Sequence, residues 1–165
     1  MEPCRSLALF VGFLSLATVL VALSTDFWFE VVTPRFRGHS GLWSKNLRDS
    51  VRDYIRVTQS FSILAVLWGL VAVVFLAMSC VPALSAPGRG PIVSCFMAFA
   101  AALSAVVAMT VYTCVWWNQP WPTHIQFFFS WSFYLGWVSV LLFLCTGGLS
   151  LGAHCRGPLP GYESM

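Results

Sequence analysis

The chain has 165 residues, of which only 15 are Lys, Arg, Asp or Glu, while 58% are hydrophobic. Charge is absent from residues 6–25, 57–88 and 90–155, runs of 20, 32 and 66 residues. A soluble fold needs polar residues on the outer face of every helix or strand, and runs of this length leave none, so a water-soluble protein is excluded.

A helix crossing the hydrocarbon core needs about 20 apolar residues. The first run holds one span, at 7–23. It starts near the N-terminus beside Arg5 and runs towards Ala22-Leu23-Ser24, so it imitates a signal peptide. Its apolar stretch is longer than the roughly 7 to 15 residues such segments carry, and a retained membrane helix is predicted. The first loop follows at 26–56, with six cations (Arg35, Arg37, Lys45, Arg48, Arg52 and Arg56) against Asp26, Glu30, Asp49 and Asp53. Within it Phe27-Trp28-Phe29-Glu30-Val31-Val32 is aromatic and β-branched and predicts a strand that Thr33-Pro34 ends. Gly41-Leu42-Trp43 and residues 51–57 are read as further short strands.

The second run predicts a span at 58–81 and a short, stiff turn around Arg89. The third is too long for one helix and breaks at Asn118-Gln119-Pro120-Trp121-Pro122, where prolines and amides stop a helix. Spans at 92–115 and 125–149 result, followed by a tail at 152–165. Four spans put both termini on one side of the membrane.

Which side is not decided by charge. The first loop carries six Lys and Arg against three (Arg5, Arg89 and Arg156) on the opposite side, which taken literally places the loop in the cytosol. Cys4, Cys80 and Cys155 lie at membrane edges on the side of the termini, with Cys95 one turn inside. Thiols there suit the reducing cytosol and S-palmitoylation; equally they pack as small apolar residues.

At this point the residues carry a resemblance. Ser24-Thr25-Asp26-Phe27-Trp28 directly after the first span, with Gly41-Leu42-Trp43 in the first loop, resembles the claudin and peripheral myelin protein superfamily. Gln59, and Ser132-Phe133-Tyr134-Leu135-Gly136-Trp137, resemble its myelin and epithelial membrane protein branch. Trp28, Gly41, Leu42 and Trp43 are its motif residues here. The resemblance covers the full chain, and a lymphocyte member of the superfamily is the nearest in character. It implies a single tetraspan domain over 1–165: a left-handed four-transmembrane-helix bundle with a small extracellular or lumenal β-sheet from the first loop, and both termini cytosolic. It thereby decides the orientation against the Lys/Arg count. The family pattern also places a cysteine where this chain has Asn46 and a second one further along; both are missing, as no cysteine lies between residues 5 and 79. A disulfide there would contribute roughly 2 to 4 kcal/mol, so the sheet must be held by other means or be more mobile. The arginine that claudins carry early in the second helix is replaced, with Ser62 nearby. These departures argue against junction strands and ion pores.

The tail ends in Gly161-Tyr162-Glu163-Ser164-Met165. Gly161, Tyr162 and Met165 fit a glycine-tyrosine-x-x-apolar pattern that resembles lysosomal sorting signals read by a clathrin-adaptor subunit. An extended peptide places the Tyr and the apolar side chain into two pockets while backbone hydrogen bonds supply affinity. The bland reading is a solubilising end.

No catalytic, cofactor or metal site is predicted. His39, His124 and His154 lie in or beside three different polar segments, without a placed acid or thiol. A net charge of +3 is too small for nucleic-acid binding. The spans contain no Asp, Glu, Lys, Arg or His, which argues against an ion-coupled carrier. Small-residue pairs at helical spacing, Ala98 with Ala102, Ala101 with Ala105 and Gly148 with Gly152, serve either bundle packing or a partner's helix among granule or lysosomal membrane proteins. Trp116, Trp117, Trp121, residues 127–129 and Trp131 form either an interfacial anchor belt in membrane lipid or a partner-binding patch. The expected function is that of a non-enzymatic membrane protein of lysosome-related cytolytic granules and the plasma membrane, supporting degranulation in cytotoxic lymphocytes. The alternative is a cell-surface claudin-like adhesion or channel protein, or an auxiliary channel subunit.

Overall fold

The computed structural model of the chain describes residues 3–43, 45, 49–81, 83 and 89–156. Its elements are α1 (Pro3–Ser24), β1 (Phe29–Thr33), β2 (Phe36–Ser40), α2 (Asp49–Cys80), α3 (Gly90–Trp117), β3 (Gln126–Phe129) and α4 (Trp131–Cys155). All four helices are long and apolar enough to cross a membrane. They form a ring in which α1 packs on α2 and α4, and α3 packs on α2 and α4. The start of α1 meets the end of α4, where Arg156 Nη1 lies 3.4 Å from Cys4 Sγ. The sheet covers the other end.

The packing is that of a protein whose solvent is lipid. Inward positions are small: Ala98, Ala101, Ala102 and Ala105 on α3 are all buried, as are Ser132, Gly136, Ser139, Gly147 and Ser150 on α4. Large apolar side chains point outward instead, including Phe10, Phe96, Leu103 and Leu141, each more than 60% exposed. Acyl chains solvate these residues as well as a protein core would, so close backbone approach and interhelical hydroxyl bonds hold the helices together. Ser15 and Thr146 face each other at 3.4 Å, and Ser94 donates to the Ala72 carbonyl at 2.9 Å. Gly69 admits the Phe143 ring, which would lie 2.6 Å from any Cβ placed there. Of the small pairs, the alanines of α3 pack within the bundle. Gly148 and Gly152 do not: a Cβ on either would meet nothing within 4 Å.

The sheet is antiparallel in the order β2-β1-β3. It corrects three expectations. Residues 125–130 are not the first turn of the fourth helix: Gln126–Phe129 pairs with β1, with Phe29 opposite Phe129 and Val32 opposite Gln126. The helix begins at Trp131 after an extended Ser130, so the sheet draws on both loops rather than the first alone. A run of aromatics satisfies strand and helix equally, and the free edge of β1 decided between them. Residues 51–57 are helical, because Arg52, Asp53 and Arg56 at helical spacing extend α2 outward while Ile55 faces the core. Gly41-Leu42-Trp43 forms a turn. The strand opposite β1 is Phe36–Ser40, set in register by a tight turn in which Thr33 Oγ1 accepts from the Phe36 amide at 3.0 Å. At the inner end, residues 152–155 continue α4 instead of opening the tail.

Candidate functional site

The outer end of α1 organises the cap. The last four carbonyls of a helix lack intrahelical partners, and side chains of the loop complete three of them. Thr25 Oγ1 donates to Val21 O at 2.9 Å, the Trp28 indole N–H to Ala22 O at 2.6 Å, and the Trp43 indole N–H to Leu23 O at 2.9 Å. Gln59 Nε2, in the outer part of α2, donates to Leu42 O at 2.8 Å. Thr25 and Ser132 hydroxyls meet at 2.6 Å and join α1 to α4. Four of the sequence motif positions thus converge: Trp28, Gly41 and Leu42 are buried, and Trp43 is half exposed with its nitrogen turned to α1. Gly41 is required by closeness, since a Cβ there would lie 2.7 Å from Asp26 Cα and 2.5 Å from its Oδ1.

Beneath the sheet an aromatic core joins β1, β3, α3 and α4. Trp28 meets Tyr112 edge-on at 4.9 Å, Phe29 packs on Trp116 at 4.3 Å, and Phe129 stacks on Phe133 at 4.0 Å. Trp121 and Phe127 stack at 5.4 Å, nearly parallel. Offset and edge-on pairs of this kind each contribute about 0.5 to 1.5 kcal/mol beyond area burial. The aromatic cluster read from the sequence therefore divides. Trp116, Trp121, Phe127 and Phe129 belong to this core, while Trp117, Phe128 and Trp131 face outward, exposed by 77%, 54% and 48%. Alternation along β3 sorts Phe127 from Phe128. Phe133 falls within the Ser132–Trp137 stretch that carried the resemblance, whereas Tyr112 was not singled out by the sequence because a lone aromatic in an apolar run carries no signal of its own.

All six cysteines are free thiols. Without a disulfide, the cap is joined to the bundle by the two indole bonds, the Gln59 bond and the aromatic core; Asn46 lies outside the described residues. Cys4 and Cys80 are half-buried and Cys155 is exposed, all at the end away from the sheet, while Cys95 is buried. Gly161, Tyr162 and Met165 lie outside the described residues. His39 stacks on Phe27 at 4.4 Å, with Nδ1 3.0 Å from Asp26 O, and His124 is exposed elsewhere. Among the described residues no group of three or more His, Cys, Asp or Glu is placed to hold a metal.

On the outer face of the sheet Arg37 Nε donates to the Glu30 carboxylate. That bond, with a smaller contribution from the charge of His39, holds the Glu30 carboxyl below its ordinary value of 4.5. A depressed carboxylate stabilises the fold above its unfolded pKa and loses that contribution as pH falls through the lower folded value. Amide protection of β1 and β2 should therefore weaken as pH drops below 4.5. Hydrogen exchange would check this, with Glu30→Gln expected to abolish that acid dependence.

The family model for the PMP-22/EMP/MP20/Claudin family matches residues 6–150. The chain belongs to this family. It is 66% identical over 165 residues, the whole of both chains, to Protein NKG7 of Bos taurus, and 63% identical over the same span to Protein NKG7 of Homo sapiens. It is 30% identical over 148 residues, 84% of each chain, to the lens fiber membrane intrinsic protein of Homo sapiens. This claudin-family chain is accordingly a multi-pass membrane protein, and its tryptophan and Gly-Leu-Trp motif residues are the parts that fasten the sheet to the first helix.

Proposed function

We propose that this claudin-family protein is a non-enzymatic membrane protein of lysosome-related cytolytic granules and the plasma membrane. It supports granule trafficking and exocytosis in cytotoxic lymphocytes. The observation that carries this reading is the terminal Gly161-Tyr162-Glu163-Ser164-Met165 sequence. Because α4 runs on to Cys155, six residues separate its last turn from Tyr162, a tether short enough to hold the signal near the membrane. A clathrin-adaptor subunit would bind it as an extended peptide, the Tyr162 ring and the Met165 side chain filling two pockets.

Such a signal works only in the cytosol. Both termini are therefore assigned to that side, and the sheet to the lumen or cell exterior. The meeting of α1's start with α4's end at 3.4 Å agrees with one shared side for the termini. Cys4, Cys80 and Cys155 then lie in a reducing compartment at the bilayer edge, where S-palmitoylation is chemically open to them. Granule or lysosomal membrane proteins would dock on the outward helix faces.

Tyr162→Ala should move the steady-state protein from granules to the cell surface, read by surface biotinylation. An unchanged distribution defeats the sorting role. Deletion of the protein in cytotoxic lymphocytes should reduce degranulation; normal release with enrichment of the protein at cell contacts would favour a claudin-like adhesion or channel role instead.

A further inference from the structure

Among the described residues, the charge at the inner end of the bundle is of one sign. Every acidic residue among the described ones, Asp26, Glu30, Asp49 and Asp53, belongs to the sheet end. The inner end carries Arg5, Arg89 and Arg156, with His154 in the last turn of α4. Arg156 is folded back across the gap between two helices: its backbone N–H closes α4 onto Gly152 O at 3.1 Å, and its guanidinium reaches the first turn of α1, 3.4 Å from Cys4 Sγ. A thiol is a weak acceptor, so it leaves most of the guanidinium's five donors to other partners. Arg5 follows Cys4 in the same turn. The first turn of α1 itself holds no acidic residue, and the positive end of its dipole faces this end of the bundle. Cys155 is exposed beside Arg156, and Leu7 and Leu151, one turn further in on the same two helices, are exposed by 51% and 44% to the acyl-chain region.

We propose that Arg156, with the first turn of α1, forms a binding site for the phosphate headgroup of an anionic phospholipid. A guanidinium matches two phosphate oxygens at once, and at the bilayer edge it does so in a medium where the pair is poorly screened. The lipid's chains would lie along the outward faces of α1 and α4. The site ties the two chain ends together through a lipid, and with cytosolic termini it faces the leaflet where anionic lipids concentrate.

The test uses the full chain in lipid nanodiscs, with thermal unfolding followed by circular dichroism. Phosphatidylserine mixed into phosphatidylcholine should raise the midpoint of the native chain by several degrees over phosphatidylcholine alone. Inorganic phosphate added to phosphatidylcholine discs should not. Arg156→Gln should lose the increment, Arg156→Lys should keep part of it, and Arg89→Gln, which removes the same charge elsewhere at that end, should keep it. Because each variant is compared with itself in the two lipids, loss of the α4 cap in Arg156→Gln does not obscure the result. No increment in the native chain, an increment that survives Arg156→Gln, equal loss in Arg89→Gln, or an equal effect of free phosphate each overturns the proposal.

Discussion

Replacing Trp28 with alanine should destabilise the folded chain by about 4 kcal/mol, within the range for truncating a buried tryptophan. Trp28 is 1% exposed, and its ring fills the space between the end of α1 and Tyr112. Its removal leaves a cavity at the junction of three helices and the sheet. It also strips the Ala22 carbonyl of its 2.6 Å hydrogen bond, and an unpaired buried acceptor costs about 1 to 3 kcal/mol. Trp28→Phe separates the two effects, keeping most of the ring and losing only the donor, with an expected cost of about 1 to 2 kcal/mol. With no cysteine between residues 5 and 79 to close a disulfide in this loop, the indole bonds have more to hold here. The Trp28→Ala chain should therefore also show faster proteolysis at Arg35 and Arg37. Thermal unfolding in nanodiscs reads the stability change; a midpoint equal to that of the native chain would contradict the role assigned to this residue.

Two glycine-to-alanine substitutions should have opposite signs. Gly41→Ala adds one methyl group, yet its Cβ would lie 2.7 Å from the backbone of Asp26, which cannot move without shifting β1 and the Trp28 bond. An overpacking cost of about 2 kcal/mol is expected. Gly148→Ala adds the same methyl where nothing lies within 4 Å. Glycine is the poorer helix former by about 0.8 to 1 kcal/mol, so this variant should be neutral or more stable. Unfolding midpoints of the two variants, measured side by side, decide the point. Equal behaviour would mean that the close approach at Gly41 is relieved by simple movement.

Much of the membrane architecture was legible in the charge pattern. An apolar run longer than 20 residues without a charge has one physical solution, and the helix-stopping Asn118-Gln119-Pro120 is a local matter of missing N–H groups and competing amides. The strand at Phe29–Thr33 was legible for a similar reason, as β-branched and aromatic residues stand next to a proline. The motif residues could be named from their spacing, but not their task. Nothing in Gly41-Leu42-Trp43 says that Trp43 reaches back 20 residues to a helix carbonyl or that Gly41 touches Asp26.

Composition and order along the chain thus determined by themselves that this protein crosses a membrane four times, with no Asp, Glu, Lys, Arg or His in its four apolar segments. Tertiary structure alone decided that Gln126–Phe129 is a strand, that Trp116 and Trp121 are core while Trp117 faces outward, and that Gly69 packs while Gly148 does not. The physical reason is common to all three. Burial in lipid and burial in protein select the same apolar residues, so hydrophobicity, which sorts inside from outside in water, is silent here. Only the neighbour that arrives from a distant part of the chain, a free strand edge, a stacked ring or a facing helix, settles where each residue lies.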